Sequence, residues 1–261
     1  MTRPRGRPLA GVGLAGGVMG ALLGGGAGSV TVPALDRLTD LSRATIHGTS
    51  TVTNIAIAIV GVAVYWARGG AIDTSTGLPL MLGGVAGAVL GARLVTRAPE
   101  RALRILFSAV LLASGTSLLL EAAGITVTAG AGALPEDPAI VVPVALALGT
   151  LVGAWSAAMG LGGGLLTVPA LVLLFGVDPH TAVGTSLLVM LPNSVAGAAA
   201  HLRQGTASVP IGARLAAGAA VGAAGGALLA LALDERVLST ILGSYMYFTA
   251  TRELLRIRRG R

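Results

Sequence analysis

Apolar residues fall along this chain in long blocks, with the polar and charged residues collected between the blocks. Three blocks in the first half (46–66, 75–93, 103–122) and three in the second (181–200, 213–233, 237–252) are 16 to 21 residues long. A helix of about 20 apolar residues spans the roughly 30 Å hydrocarbon core of a bilayer, so the pattern predicts six crossing helices. Each trio follows a longer apolar element, about 8–36 and 138–177, broken by glycines and a proline: "LGGGAGSVTVPAL" at Leu23–Leu35 and "MGLGGGLLTVPAL" at Met159–Leu171. The second element has no charged residue over 40 positions. As one straight helix it would be about 60 Å long, twice the hydrocarbon thickness. It therefore folds back or crosses twice.

Composition supports the membrane reading. Of 261 residues 54% are hydrophobic and 11% charged, with a mean hydropathy of +0.83. Soluble domains carry about 25% charged residues, and this chain has too few to cover a surface facing water. The predicted class is an all-α polytopic membrane protein. The net charge of +7 does not indicate a nucleic-acid partner: all 18 basic residues are arginine, placed between apolar blocks and at the ends, where they orient a membrane protein. The absence of cysteine excludes disulfides and thiolate metal sites. The start, "MTRPRGRPLAGVGLAGGVMGALLGG", has the layout of a signal peptide. Its glycine pattern returns at Gly160 with no basic leader, so the first block is read as retained structure.

The chain is a repeat. Shifted by 136 positions, Gly28–Ser50 matches Gly164–Ser186 at eleven of 23 positions, including Thr31/Thr167, Pro33/Pro169 and the triplets Gly48–Ser50 and Gly184–Ser186. Gly69 and Gly205 keep the register; after one deletion Gly83, Gly87 and Gly91 meet Gly218, Gly222 and Gly226, and Glu100-Arg101 meets Glu235-Arg236. Two repeats, 1–130 and 139–261, are expected on either side of an extracytoplasmic linker, 131–138.

Arginine counts choose the topology. If each broken element crosses once, 11 arginines lie on one side and seven on the other, with Arg93, Arg97, Arg101 and Arg104 crowded outside. If each enters and returns, or crosses twice, every half adds three further crossings and the halves are inverted. Sixteen arginines then lie inside, and only Arg68 and Arg236 outside. The expectation is two inverted repeats, each a glycine-broken re-entrant element plus three transmembrane helices, with both termini cytoplasmic.

Glycine permits a sharp backbone reversal, and proline suits the first turn of a helix. Irregular backbone at membrane depth is tolerated only inside protein or along a cavity. Paired breaks in the two halves of a chain point to a transporter's central site. The short helix after each break, from about Ser29 and Leu165, would aim its free N–H groups and positive dipole end at an anion. The candidate binding residues are Gly25, Gly26, Gly28, Ser29, Thr31 and Pro33 at the first break and Gly162, Gly163, Gly164, Thr167 and Pro169 at the second. Thr49, Ser50 and Asn54, and Thr185, Ser186 and Asn193, join them from the following helices.

Plainer roles compete. Glycine runs such as Gly83–Ala92, and its mate after Gly218, suit close helix contacts. Any single Ser or Thr can bond back to its own helix. His47 is a candidate proton relay or neutral filler. His180 and His201 read as loop or helix-end residues, and Asp73 as a solvated cap. No HExxH, GxSxG or paired-carboxylate constellation indicates an enzyme, "GGGAGS" lacks the strand and acidic residue of a dinucleotide loop, and no metal or cofactor site is expected.

At "GGGAGSVTVPAL…GTS" and "GLGGGLLTVPAL…VGTSLL" the chain resembles the sulfite exporter TauE/SafE family. The second half follows the family pattern from Ala157 to Ser208. The first departs at "LTDLSRATIHGTSTVTN", with a histidine and extra charges where the family is usually apolar. The resemblance implies a multi-pass carrier of sulfite or small organosulfonates in a prokaryotic plasma membrane. With the residue reading, it gives a secondary anion transporter working by alternating access, with the lipid bilayer and a small anion as partners. A carrier of another solute or a divalent cation, which would have to use Asp36, Asp40 or Asp73, and a non-transporting membrane assembly subunit are the alternatives. Oligomeric state and coupling ion stay open.

Overall fold

The computed structural model describes residues 6–94, 100–125, 134, 137–159 and 164–258. Gly162 and Gly163 lie outside the described residues, as do Arg3, Arg5, Arg97, Arg259, Arg261 and most of the linker, Glu136 included. The described chain is helical throughout: α1 (Gly6–Leu22), α2 (Gly28–Leu38), α3 (Arg43–Ala67), α4 (Thr74–Leu94), α5 (Glu100–Ala122), α6 (Pro138–Met159), α7 (Gly164–Phe175), α8 (Pro179–Arg203), α9 (Val209–Ala232) and α10 (Glu235–Arg258). Stretches in α3, α5, α6, α8 and α9 are long and apolar enough to cross a bilayer, and those in α1, α4 and α7 are apolar but shorter. Apolar side chains also face outward: Leu82, Val89, Leu151 and Val221 are 62 to 66% exposed, as suits contact with lipid. The polypeptide is a polytopic membrane protein.

The repeats exchange partners. The most extensive packing is α1 on α9 and α4 on α6, each pairing one half with the other. Glycines allow it. A Cβ at Gly13, Gly17, Gly218, Gly222 or Gly226 would collide with a carbonyl oxygen of the facing helix (Leu215, Ala219, Ala10, Leu14 and Val18 respectively). At the mated contact Gly83 and Gly87 meet Leu146 and Thr150, and Gly149 and Gly153 meet Leu80 and Gly84. Here the plainer reading of "GGVAGAVLGA" holds.

The same contacts give direction. Residue numbers rise together along α1 and α9, as they do along α3 and α9, where Ser208 and Gly212 meet Thr49 and Val52. Helices α1, α3 and α9 therefore run parallel. Numbers run oppositely between the mates α3 and α8 (Gly48 on His201, Gly61 on Leu187) and between the mates α5 and α10 (Arg104 on Glu253, Gly115 on Gly243). Mates that pack antiparallel belong to inverted halves.

Because α1 and α3 run the same way, α2 must return. The Ala27 amide meets Asn54, near the middle of α3, and the far end of α2 reaches the start of both: Leu9, Leu35, Ile46 and Leu215 form one buried cluster. With 11 residues, α2 is about 16 Å long, half a hydrocarbon core. The first broken element is thus a hairpin that turns back at mid-depth. Both ends of the described chain, and the ends of helices carrying Arg7, Arg37, Arg43, Arg93, Arg101, Arg104, Arg203, Arg214 and Arg252, lie on one face; Arg68 and Arg236 lie on the other. The linker is on that second face, where the Leu134 amide bonds the Leu174 carbonyl at 3.2 Å.

Candidate functional site

The first hairpin turns at Gly24 and Gly26, whose φ angles are +63° and +74°, a left-handed backbone that a side chain disfavours. The turn delivers a helix start with a gap in its hydrogen bonding. The residue before α2 is Ala27, which has no side chain to cap it, and the first N–H groups of a helix have no partner within it. Asn54 substitutes for one cap: its Oδ1 accepts the Ala27 amide at 2.8 Å. The amides of Val30 and Thr31 donate to the Ala27 carbonyl. Among the described residues nothing bonds the amides of Gly28 and Ser29. Behind them, Thr31 Oγ1 sits 3.0 Å from the Ala27 carbonyl and 2.6 Å from Ser50 Oγ, all buried. The Asn54 Nδ2 group is buried without a partner.

This helix start lies on the floor of a cavity of about 690 Å³. Gly28, Ser29 and Pro33 line it, and across from them stand Phe107, Trp155, Leu165 and Tyr245. Phe107 stacks on Trp155 with ring centroids 5.7 Å apart, and the Tyr245 hydroxyl engages those of Ser29 and Thr249. Toward the face that carries the termini the lining becomes charged, with Asp36, Arg43, Arg104, Arg252 and Glu253. Arg104 and Glu253 form an ion pair at 3.4 Å. His47 lines the cavity one turn below Arg43.

The second hairpin is shut. Its helix start adjoins the first turn: Ser186 Oγ donates to the Gly24 carbonyl at 2.8 Å and lies 3.4 Å from that of Gly164. A Cβ at Gly164 would collide with the Gly24 carbonyl. Gly164, Leu165 and Thr167–Val172 are buried. Helix α7 packs against α5, and Ser114 Oγ reaches the Pro169 carbonyl at 3.3 Å. The corresponding pair, α2 and α10, has no comparable packing; the cavity takes its place.

The remaining candidates fall elsewhere. Thr49 Oγ1 accepts the Ser208 amide at 3.0 Å ahead of α9, and its mate Thr185 accepts the Asp73 amide at 2.8 Å ahead of α4. The two hydroxyls thus tie each half to the first turn of a helix in the other. Asn193 packs against Gly84 of α4, with both amide atoms buried and unpartnered. Asp73 caps α4 through the amides of Ser75 and Thr76, at 2.9 and 3.3 Å. Burial pushes its carboxyl up, but the hydroxyls and amides of Ser75 and Thr76 outweigh that and hold it below the usual carboxylate range. His201 Nδ1 lies 2.9 Å from Thr206 Oγ1, and His180 Nε2 lies 3.1 Å from the Leu233 carbonyl. Among the described residues no group of three His, Asp or Glu could hold a metal ion. Sequence reasoning did not single out Arg43, Arg104 and Arg252, nor the aromatic wall. The available signal was the set of charges that break the repeat: Arg43 has Pro179 as its mate.

The chain matches the family model described as "Sulfite exporter TauE/SafE" over residues 1–118 and 145–261. It is 28% identical over 211 residues to "Probable membrane transporter protein YunE" of Bacillus subtilis (strain 168), covering 74% of this chain and 77% of that protein. It is 32% identical over 118 residues to "Probable membrane transporter protein YdhB" of the same organism, 45% of this chain and 46% of that one. No solved structure matches. Inverted halves, hairpins meeting at mid-depth and this match agree: the chain belongs to the sulfite exporter TauE/SafE family of membrane transporters.

Proposed function

We propose that this protein is a secondary carrier of a small anion, sulfite or an organosulfonate, bound at the start of α2. One observation carries the reading: a helix N-terminus where, among the described residues, nothing bonds the Gly28 and Ser29 amides forms the floor of a cavity at mid-depth. Such an end attracts negative charge without a buried cation. The arginines stand nearer the mouth; Arg252 is seven residues, about 10 Å along α10, from Tyr245. From there they draw anions in and leave the floor free to release them. A cation carrier would need carboxylates at the floor, whereas Asp36 and Glu253 lie among the arginines.

Positive charge collects on the cytoplasmic side of membrane proteins. This rule puts both termini and the cavity mouth in the cytoplasm of a prokaryotic cell, so the described conformation is open inward. The repeat suggests the other one. Ser114 and Pro169, which close α5 on α7, have Thr249 and Pro33 as mates, and those two line the cavity. Outward opening is the exchange: α2 closes on α10 through Thr249 and the Pro33 carbonyl as α7 leaves α5. The cycle binds and releases and needs no catalytic group.

Flux in proteoliposomes tests the assignment. Sulfite or methanesulfonate should exchange faster than through protein-free liposomes, and Gly26→Val, which forces a β-branched residue into φ +74°, should cut that flux at least tenfold. No flux of either anion, or Mg²⁺ moving instead, would refute it.

A further inference from the structure

Helices α2 and α10 meet at one level and part at another. The Ser29 and Tyr245 hydroxyls join them at mid-depth. Toward the face that carries the termini they leave a groove lined by Val30, Pro33, Ala34 and Arg37 of α2 and by Phe248 and Arg252 of α10. The four α2 residues follow one another at helical spacing and share one face of that helix. Its buried residues, Gly28, Thr31 and Leu35, are not among them. Arg37 is seven residues, about 10 Å along the helix, from Val30, and Arg252 is about one turn beyond Phe248. The groove is therefore apolar at hydrocarbon depth and ends in two guanidinium groups near the membrane surface. Phe248 is 63% exposed on its rim, and Arg37 is exposed too. Among the described residues neither arginine has a carboxylate within ion-pair distance, whereas Arg104 is held by Glu253 at 3.4 Å. Arg37 lines this groove and not the cavity at the start of α2. Plainer roles compete. A basic residue in a last turn, as Arg37 is, favours the helix dipole, and a single arginine at a membrane surface snorkels. Neither role brings two guanidinium groups from different helices to the head of one apolar groove.

We propose that this groove holds one anionic phospholipid from the leaflet on the termini side. An acyl chain lies along Val30, Pro33, Ala34 and Phe248, and the phosphate sits between Arg37 and Arg252. Guanidinium groups match phosphate oxygens in geometry and charge, and basic pockets between transmembrane helices suit anionic headgroups. A zwitterionic headgroup brings its own ammonium to the arginines and gains less. The proposal does not depend on which solute is carried. The test uses native mass spectrometry of the full-length protein in detergent. Phosphatidylglycerol, phosphatidylcholine with the same chains, and soluble glycerol phosphate are titrated in turn. The first phosphatidylglycerol should bind about tenfold tighter than phosphatidylcholine. Arg37→Gln should weaken it about fivefold and leave phosphatidylcholine unchanged. Arg214→Gln removes an exposed arginine on the same face but outside the groove, and should change neither. Ala34→Trp, which fills the groove, should weaken phosphatidylglycerol at least as much as Arg37→Gln does. Equal binding of the two lipids, or equal losses in the two arginine variants, would overturn the proposal. So would glycerol phosphate displacing the lipid at equal concentration, since the site would then recognise a free phosphate ester. Ala34→Trp set against Arg214→Gln decides the matter even if the Arg37 variant does not fold.

Discussion

The two broken hairpins share one sequence pattern and occupy two different situations. In the first, α2 starts beside a cavity, meets α10 through the Ser29 and Tyr245 hydroxyls rather than by close helix packing, and has amides that nothing bonds among the described residues. In the second, α7 is buried from Gly164 to Val172 except for the half-buried Leu166, and is held to α5 by Ser114 and to the first hairpin by Ser186. The difference teaches where the energy of the cycle lies. The α1–α9 and α4–α6 pairs are locked by backbone contacts at glycine, and the threonine links at Thr49 and Thr185 have the same geometry in both halves. These parts form the frame. The contacts that differ between halves, α2 on α10 and α7 on α5, form the moving set.

Gly164→Ala should have the largest effect on that contrast. Its Cβ has no room against the Gly24 carbonyl, and backbone cannot move aside as a side chain can, so the two turns must separate. Transport in proteoliposomes should fall about a hundredfold or more, while helix content by circular dichroism stays near that of the parent. Ser114→Ala comes next. It removes one buried hydrogen bond of the closed side, about 0.5–1.5 kcal/mol, and should shift the conformational balance about two- to tenfold toward outward opening. Thr249→Val should shift it the other way by a similar factor. Cysteine labelling from each face reads both.

Thr49→Val and Thr185→Val should be equal and modest. Each keeps side-chain volume and loses a link to a helix start, at a cost of about 1 kcal/mol. Thermal unfolding should register that cost, with little change in substrate affinity; loss of affinity in either variant would move that hydroxyl from the frame into the site. The smallest effect belongs to Asp73, a cap in the α3–α4 loop on the face away from the termini. Its carboxyl is held below its ordinary value, so its stabilisation is fully present above the unfolded value of about 3.9 and is lost as pH falls through the lower folded one. Asp73→Asn should therefore destabilise by well under 1 kcal/mol at pH 7, since asparagine also caps. The gap from the parent should close in strong acid, as followed by melting temperature against pH.

Much of the frame was legible in the sequence because a repeat states each contact twice. The structure adds to that offset of 136: Ser42 and Asp178 cap α3 and α8 in the same way, each accepting from the third residue on, Thr45 and Thr181. Arginine placement gave the inversion, because charge at a helix end reports the face on which that end lies. What a repeat cannot state is which copy is open. Two near-equivalent sequences encode both conformations, and the choice is made by contacts such as Ser114–Pro169 that form in one copy at a time. The partners of Thr49 and Thr185 were hidden for a different reason: they lie 159 and 112 residues away in the other half, beyond any local pattern. The cavity arginines break the repeat, and their grouping depends on α3, α5 and α10 meeting at one face.

The central claim is that an anion sits at the start of α2, reached from the face that carries the termini. The chain has no cysteine, so Ser29→Cys and Trp66→Cys can each be labelled alone with a membrane-impermeant thiol reagent in sealed vesicles of known orientation. Cysteine at 29 should react from the termini face and be protected by a transported anion; at 66, on the opposite end of α3, it should react only from the other face and without protection. Reaction of both positions from one face, or of position 29 at the same rate whether or not the anion is present, would contradict the account.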